Sequence, residues 1–189
     1  PINAVNRFFS EVSREASTGR NLTAVGNAKA TRSVIYANSD SSRKVTISVD
    51  QYPTASDASA AYQEAVAKSK TVPGFKSVPA KNLDHNAFVG TVTQGGETHI
   101  GLGALHGTLI VGVTLAGCNP TPDKIANLIS LTREEESAAR AALDAYAAGV
   151  NAWIEDHHGS LSLPFVVTAL KSGLGGFGGY QLEPWTALD

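Results

Sequence analysis

Methionine is absent from this 189-residue chain, and cysteine occurs once, at Cys118. A lone cysteine excludes an internal disulfide framework and leaves the redox compartment open. No run approaches the roughly 20 apolar residues that a membrane-spanning helix needs. Charge is also scarce: charged residues are 17% of the chain, 15 Lys and Arg against 17 Asp and Glu, for a net −2. So neutral a chain has no basic footprint for phosphate backbones, and nucleic acid is not expected as a partner. What remains is a globular composition, 42% hydrophobic, with room for one domain or a small domain plus an appendage. Few cations with abundant Ala, Ser, Thr and Gly suit an exported bacterial protein, so an extracytoplasmic (periplasmic or secreted) location is expected. A start at Pro1 rather than Met fits an N-terminus that was removed, or a fragment.

Along the chain, Val5, Phe8, Phe9 and Val12 fall at helical spacing, and Gly19 sits where a C-terminal cap belongs. A strand follows around "SVIYA", then the polar turn "NSDSS". In "RKVTISVDQY", Val45, Ile47 and Val49 alternate with Lys44, Thr46 and Ser48, the signature of a half-buried strand and of a hairpin with its predecessor. Thr54 is a helix N-cap with Asp57 three residues on, and Ala58, Ala61, Tyr62, Ala65 and Val66 form that helix's buried stripe. Three strands come next, "AFVGTVTQ", "ETHIGLGAL" and "TLIVGVTLAG", joined by short glycine turns as an antiparallel meander. The glycines inside these strands allow close backbone approach or strong twist. Thr121-Pro122-Asp123 opens another helix through Ile125, Leu128 and Ile129, with Pro122 at its first position.

Residues 1–131 therefore read as an α+β sandwich domain, a mostly antiparallel sheet covered by helices. Residues 132–189 read as a separate helical segment, incomplete on its own. Thr132-Arg-Glu-Glu135 has the pattern of a capping box. Ala138, Ala142, Ala145, Tyr146, Gly149, Val150, Trp153 and Ile154 would then share one face of a long helix, with Trp153 buried and Gly149 admitting a close neighbour. A shorter helix is predicted from Pro164 to Leu170, followed by an irregular helical extension. Five glycines between Gly173 and Gly179 predict a mobile stretch. Phe165, Val166, Phe177, Tyr180 and Trp185 are expected to be only partly covered.

No catalytic constellation stands out. "GLGGFGG" follows a helix instead of a strand, so it reads as a connector and not a phosphate loop. His157 and His158 suit a helix C-terminus, since adjacent helical residues point about 100° apart and form no metal pair. His85, His99 and His106 lie scattered in the sheet domain with no G-x-S-x-G elbow to present a serine. Glu134, Glu135 and Glu136 fall in a first helical turn, where solvated acids complement the dipole. Cys118 reads as a small buried residue.

Residues 134–189 resemble the A-chain region of penicillin-acylase-type enzymes (penicillin amidases). The resemblance rests on "ARAALDAYAAGVNAWI", "LSLPF" and "EPWTALD", in the family's order. It maps family-motif, structural positions onto Tyr146, Gly149, Asn151, Trp153, Pro184, Trp185 and Asp189. It implies an N-terminal-nucleophile hydrolase that cleaves the amide C–N bond of an acylated amine, β-lactams among them. In that chemistry the serine's own α-amino group serves as base. No residue here matches that serine, so no catalytic residue is assigned. The resemblance places the acyl-pocket residues and a calcium-binding acid beyond the E-P-W-T-x-x-D element, so no cofactor or metal is expected within this chain. A B chain, or a further region of the same precursor, is the implied partner. The family's D-x-x-G-V-P-H-I-like strand has no counterpart in residues 1–131, which resemble small secreted or lipid-anchored bacterial domains. Two readings follow: a partial amidohydrolase, inactive without its B chain, or a non-enzymatic extracytoplasmic binding or sensor domain.

Overall fold

A computed structural model of the protein describes residues 2–21, 27–80 and 86–156. The elements run α1 (Ile2–Asn6), β1 (Arg14–Asn21), β2 (Ala30–Ala37), β3 (Lys44–Gln51), α2 (Ala55–Thr71), β4 (Phe75–Ser77), β5 (Ala87–Gln94), β6 (Glu97–His106), β7 (Leu109–Ala116) and α3 (Pro122–Asp156). The strands form one seven-stranded sheet in the order β1-β2-β3-β7-β6-β5-β4, and each neighbouring pair is antiparallel. The fold is α+β, as the alternation of Val45, Ile47 and Val49 and the glycine turns require. Gly95 and Gly96 close the β5–β6 hairpin with φ of 61° and 84°, left-handed values that a two-residue hairpin of this twist demands at both central positions.

The chain divides into two compact units, residues 1–139 and 140–189. In the first, one sheet face carries Val45, Ile47, Val89, Ile100, Val113 and Leu115 against Val5, Phe9 and Val12 and against Leu128, Ile129 and Leu131 of α3. Helix α2 lies over the sheet at β4, β6 and β7, its first turn secured by Thr54 Oγ1 accepting from the Asp57 amide at 3.1 Å. In the second unit, the described residues are the C-terminal part of α3. Its least exposed row is Leu143, Ala147 and Val150.

Several expectations need correction. The N-terminal helix ends at Asn6, and Arg14–Asn21 is the edge strand β1, not helix up to a Gly19 cap. Val5, Phe9 and Val12 are nonetheless buried, because turns at Phe8, Phe9 and Val12 keep them on one side after the helix unwinds. No new helix starts at Thr132. With no Gly or Pro between Pro122 and Thr132 to break it, α3 runs through unbroken, and the Thr132 hydroxyl donates to the Leu128 carbonyl at 2.8 Å. The stripe assigned to Tyr146 and Trp153 is not the buried one: these side chains are 62% and 49% exposed. A segment so rich in alanine carries little contrast between faces, so periodicity alone selects poorly between adjacent rows. A Cβ on Gly149 would meet open space among the described residues. The expectations for Pro164–Leu170, for Gly173–Gly179 and for the coverage of Phe165, Val166, Phe177, Tyr180 and Trp185 lie outside the described residues.

Candidate functional site

Between α2 and the sheet lies a cleft of ≈ 300 Å³. One wall is α2, through Tyr62, Ala65, Val66 and Ser69, continued by Val72 just past its end. These include most of the stripe that the sequence assigns to a buried core. Ala58 alone of that stripe is buried, because from Tyr62 onward the helix faces a gap instead of packed strands. The floor is a patch of sheet where Gly101 and Gly103 on β6, with Gly90 opposite Gly101 on β5, lie among Val92, Ile110 and Thr114. The interior strand glycines bring no other backbone close at Gly101 and Gly103. Among the described residues, a Cβ at Gly101 would meet only Thr114 Oγ1 at 3.7 Å, and one at Gly103 only the Tyr62 ring at 3.8 Å.

The far wall is aromatic. Phe75 and Phe88 stack with ring centroids 5.7 Å apart and planes within 13°, an offset arrangement that aromatic pairs favour. Phe75 covers Gly90, where any Cβ would enter its ring. Polar atoms are few: His99 and Thr114 at one end, and Ser69, whose hydroxyl is already donated to the Ala65 carbonyl at 2.8 Å. Burial pushes the Tyr62 phenol above its ordinary pKa, as an apolar surrounding does. At the rim, the Lys70 ammonium stands 5.8 Å from the centre of the Phe88 ring.

The titratable groups singled out in the sequence are elsewhere or apart. His99 Nε2 is 3.8 Å from Glu97 Oε2 at the cleft's edge, and His106 Nδ1 is 2.9 Å from Glu136 Oε1. Neither histidine is hydrogen-bonded to a serine or cysteine among the described residues. Glu134–Glu136 are not a solvated first turn. They sit mid-helix, where Glu134 pairs with Arg7 and Glu136 with His106, and burial foremost raises the Glu135 carboxyl. Cys118 is partly exposed and free, beside the Lys124–Glu11 ion pair. His85, His157 and His158 lie outside the described residues, as do Pro184, Trp185 and Asp189 of the family motif. Tyr146, Gly149, Asn151 and Trp153 all lie on the C-terminal part of α3. No group of three or more His, Cys, Asp or Glu among the described residues could hold a metal. No described helix is long and apolar enough to cross a membrane.

Fold and cleft together define a class: an α+β module with one antiparallel sheet, a main core on one face and, under α2 on the other, a smaller cluster around Tyr52 and Ala58 beside an open apolar pocket. The comparisons divide along the chain. Residues 122–189 match the sequence profile of the penicillin amidase family, a segment that starts at the first residue of α3. No curated protein matches the chain. Among solved structures it is similar to the extracellular domain of PknH from Mycobacterium tuberculosis, at 13% identity and TM-score 0.57, over 72% of this chain and 92% of that one. A second, LpqN, involved in cell envelope biogenesis of Mycobacterium tuberculosis, aligns at 12% identity and TM-score 0.31, over 62% of this chain and 79% of that one.

Proposed function

We propose that residues 1–139 form a non-enzymatic, extracytoplasmic ligand-binding or sensor domain whose site is the cleft under α2. The observation that carries this reading is the cleft itself: ≈ 300 Å³, walled by Tyr62, Val66, Phe75 and Phe88 over a glycine floor. Such a volume lies at the low end for small-ligand sites, roughly 300–1,000 Å³, and an apolar lining with few polar groups is typical of them. The fold likeness to an extracellular domain supports the location. A neutral apolar dye, N-phenyl-1-naphthylamine, tests it. The full chain should enhance its fluorescence saturably, and Gly101→Val, which fills the floor, should abolish that enhancement while the protein stays folded. Equal enhancement by the parent and by a folded Gly101→Val would remove the cleft as the site.

A second reading is favoured by the family match over residues 122–189. In it, the C-terminal segment is part of an amidohydrolase that cleaves a non-peptide C–N bond once joined to a chain bearing the nucleophilic serine. The purified 189-residue chain is then expected to hydrolyse nothing, because without that serine the covalent route is closed. Release of phenylacetate or fatty acid from an acyl amide by this chain alone would contradict that expectation.

A further inference from the structure

We infer that the cleft under α2 takes an apolar chain ending in a carboxylate, the chain lying over Gly101 and Gly103 and the carboxylate meeting Lys70. This rests on the reading of the cleft as a ligand site and adds its chemistry. The apolar part follows from the lining, which among the described residues includes no Asp, Glu, Lys or Arg. A formal charge drawn inside would lose its water with nothing to replace it. From Phe88 to Val92 the strand rises by four residue steps, about 13 Å, which suits a chain of about ten carbons.

The charged end follows from what stands at the rim. Tyr62, Val66 and Lys70 are spaced four apart on α2, so Lys70 continues the row that lines the cleft. Its ammonium lies over Phe88, itself a lining residue. Lys68, in the same last turn, is taken up by Glu64 at 2.6 Å, whereas no carboxylate among the described residues pairs with Lys70. The other end of the cleft has the opposite bias, since Glu97 stands beside His99. A carboxylate is therefore drawn to the Lys70 end, and the cleft has a direction: head at Lys70 and Phe88, tail toward Val92, His99 and Thr114.

Decanoate, decanol and hexanoate, titrated into the full chain by calorimetry at pH 7.5, test this. Decanoate should bind at least tenfold tighter than decanol, which has the same tail without the charge. Hexanoate should be much weaker, by roughly fourfold per methylene removed. Lys70→Met should bring decanoate down to the level of decanol and leave decanol unchanged, while Lys70→Arg keeps the preference. Thermal melts of both variants, matched to the parent, exclude unfolding as the cause. Decanol binding as tightly as decanoate, or Lys70→Met weakening both alike, would overturn the inference while the dye still reports the cleft. If dye, decanol and decanoate all fail to bind, the cleft reading falls with it.

Discussion

Gly90 and Gly101 stand directly opposite each other on β5 and β6, yet replacing each with valine should move stability in opposite directions. At Gly101 the added Cβ meets only Thr114 Oγ1, at 3.7 Å, an ordinary contact. The strand loses the backbone entropy penalty of glycine, about 0.5–1 kcal/mol, and gains a β-branched side chain where these fit best, on a scale spanning about 1 kcal/mol. Gly101→Val should therefore stabilise by about 1 kcal/mol, raising Tm by about 4 °C for a unit of this size. At Gly90 the Cβ runs into the Phe75 ring, which must swing away from Phe88. Losing that stack costs about 0.5–1.5 kcal/mol and overpacking typically adds about 1–3 kcal/mol; set against the same gain of about 1 kcal/mol for leaving glycine, Gly90→Val should destabilise by about 1–3 kcal/mol. Urea melts followed by circular dichroism would measure both. If the two substitutions destabilise equally, the floor at Gly101 is packed and not open, and the cleft is lost as a site.

Asp50 is part-buried, its Oδ1 without a hydrogen-bond partner among the described residues, and burial foremost lifts its carboxyl above the ordinary 3.8, Thr31 offsetting part. A raised acid favours the folded state at low pH and loses that advantage as pH rises through the folded pKa. Asp50→Asn should thus raise Tm at pH 7, with the gain shrinking as pH falls toward 3.8 and below in thermal melts. Glu11 has the reverse sign: burial works to raise it, but the Lys124 bond and other favourable contacts outweigh burial and leave it below its ordinary 4.5. Its contribution is present above 4.5 and lost as pH falls through the folded value, so Lys124→Met should flatten the acid limb of the stability–pH curve. Thr54→Ala removes the N-cap of α2 and should cost about 1 kcal/mol, read in the same urea melts. Because α2 is a wall of the cleft, dye affinity should fall with it.

The sheet was legible because its inner strands repeat a period of two, and because two glycines between such runs admit little but a hairpin. Edge strands escaped that logic. β1, Arg14–Asn21, needs no apolar alternation, and its polar residues are what an exposed edge tolerates. β4 spans three residues, too few for any period to show. At Thr132 the capping-box pattern was present, but a cap needs a break before it, and Ile129-Ser130-Leu131 offers none.

The cleft was hidden for a different reason. Hydrophobic periodicity reports which side of a helix avoids water, not whether another side chain waits there to meet it. Tyr62, Ala65 and Val66 have the pattern of core residues, and they would be core if β6 carried side chains at 101 and 103. It carries glycine at both, and a strand that omits two Cβ atoms beneath a helix leaves room of about one small ligand. The signal was thus present in two distant places, an apolar stripe on α2 and glycines at alternate positions of β6. Only the tertiary pairing of the two turns a weak helix and a weak strand into a pocket. Interior glycine costs a strand stability, and Phe75 explains Gly90 by occupying its space. At Gly101 and Gly103, by contrast, an added Cβ would make only ordinary contact with Thr114 Oγ1 and the Tyr62 ring among the described residues, so crowding, which accounts for Gly90, does not account for glycine there.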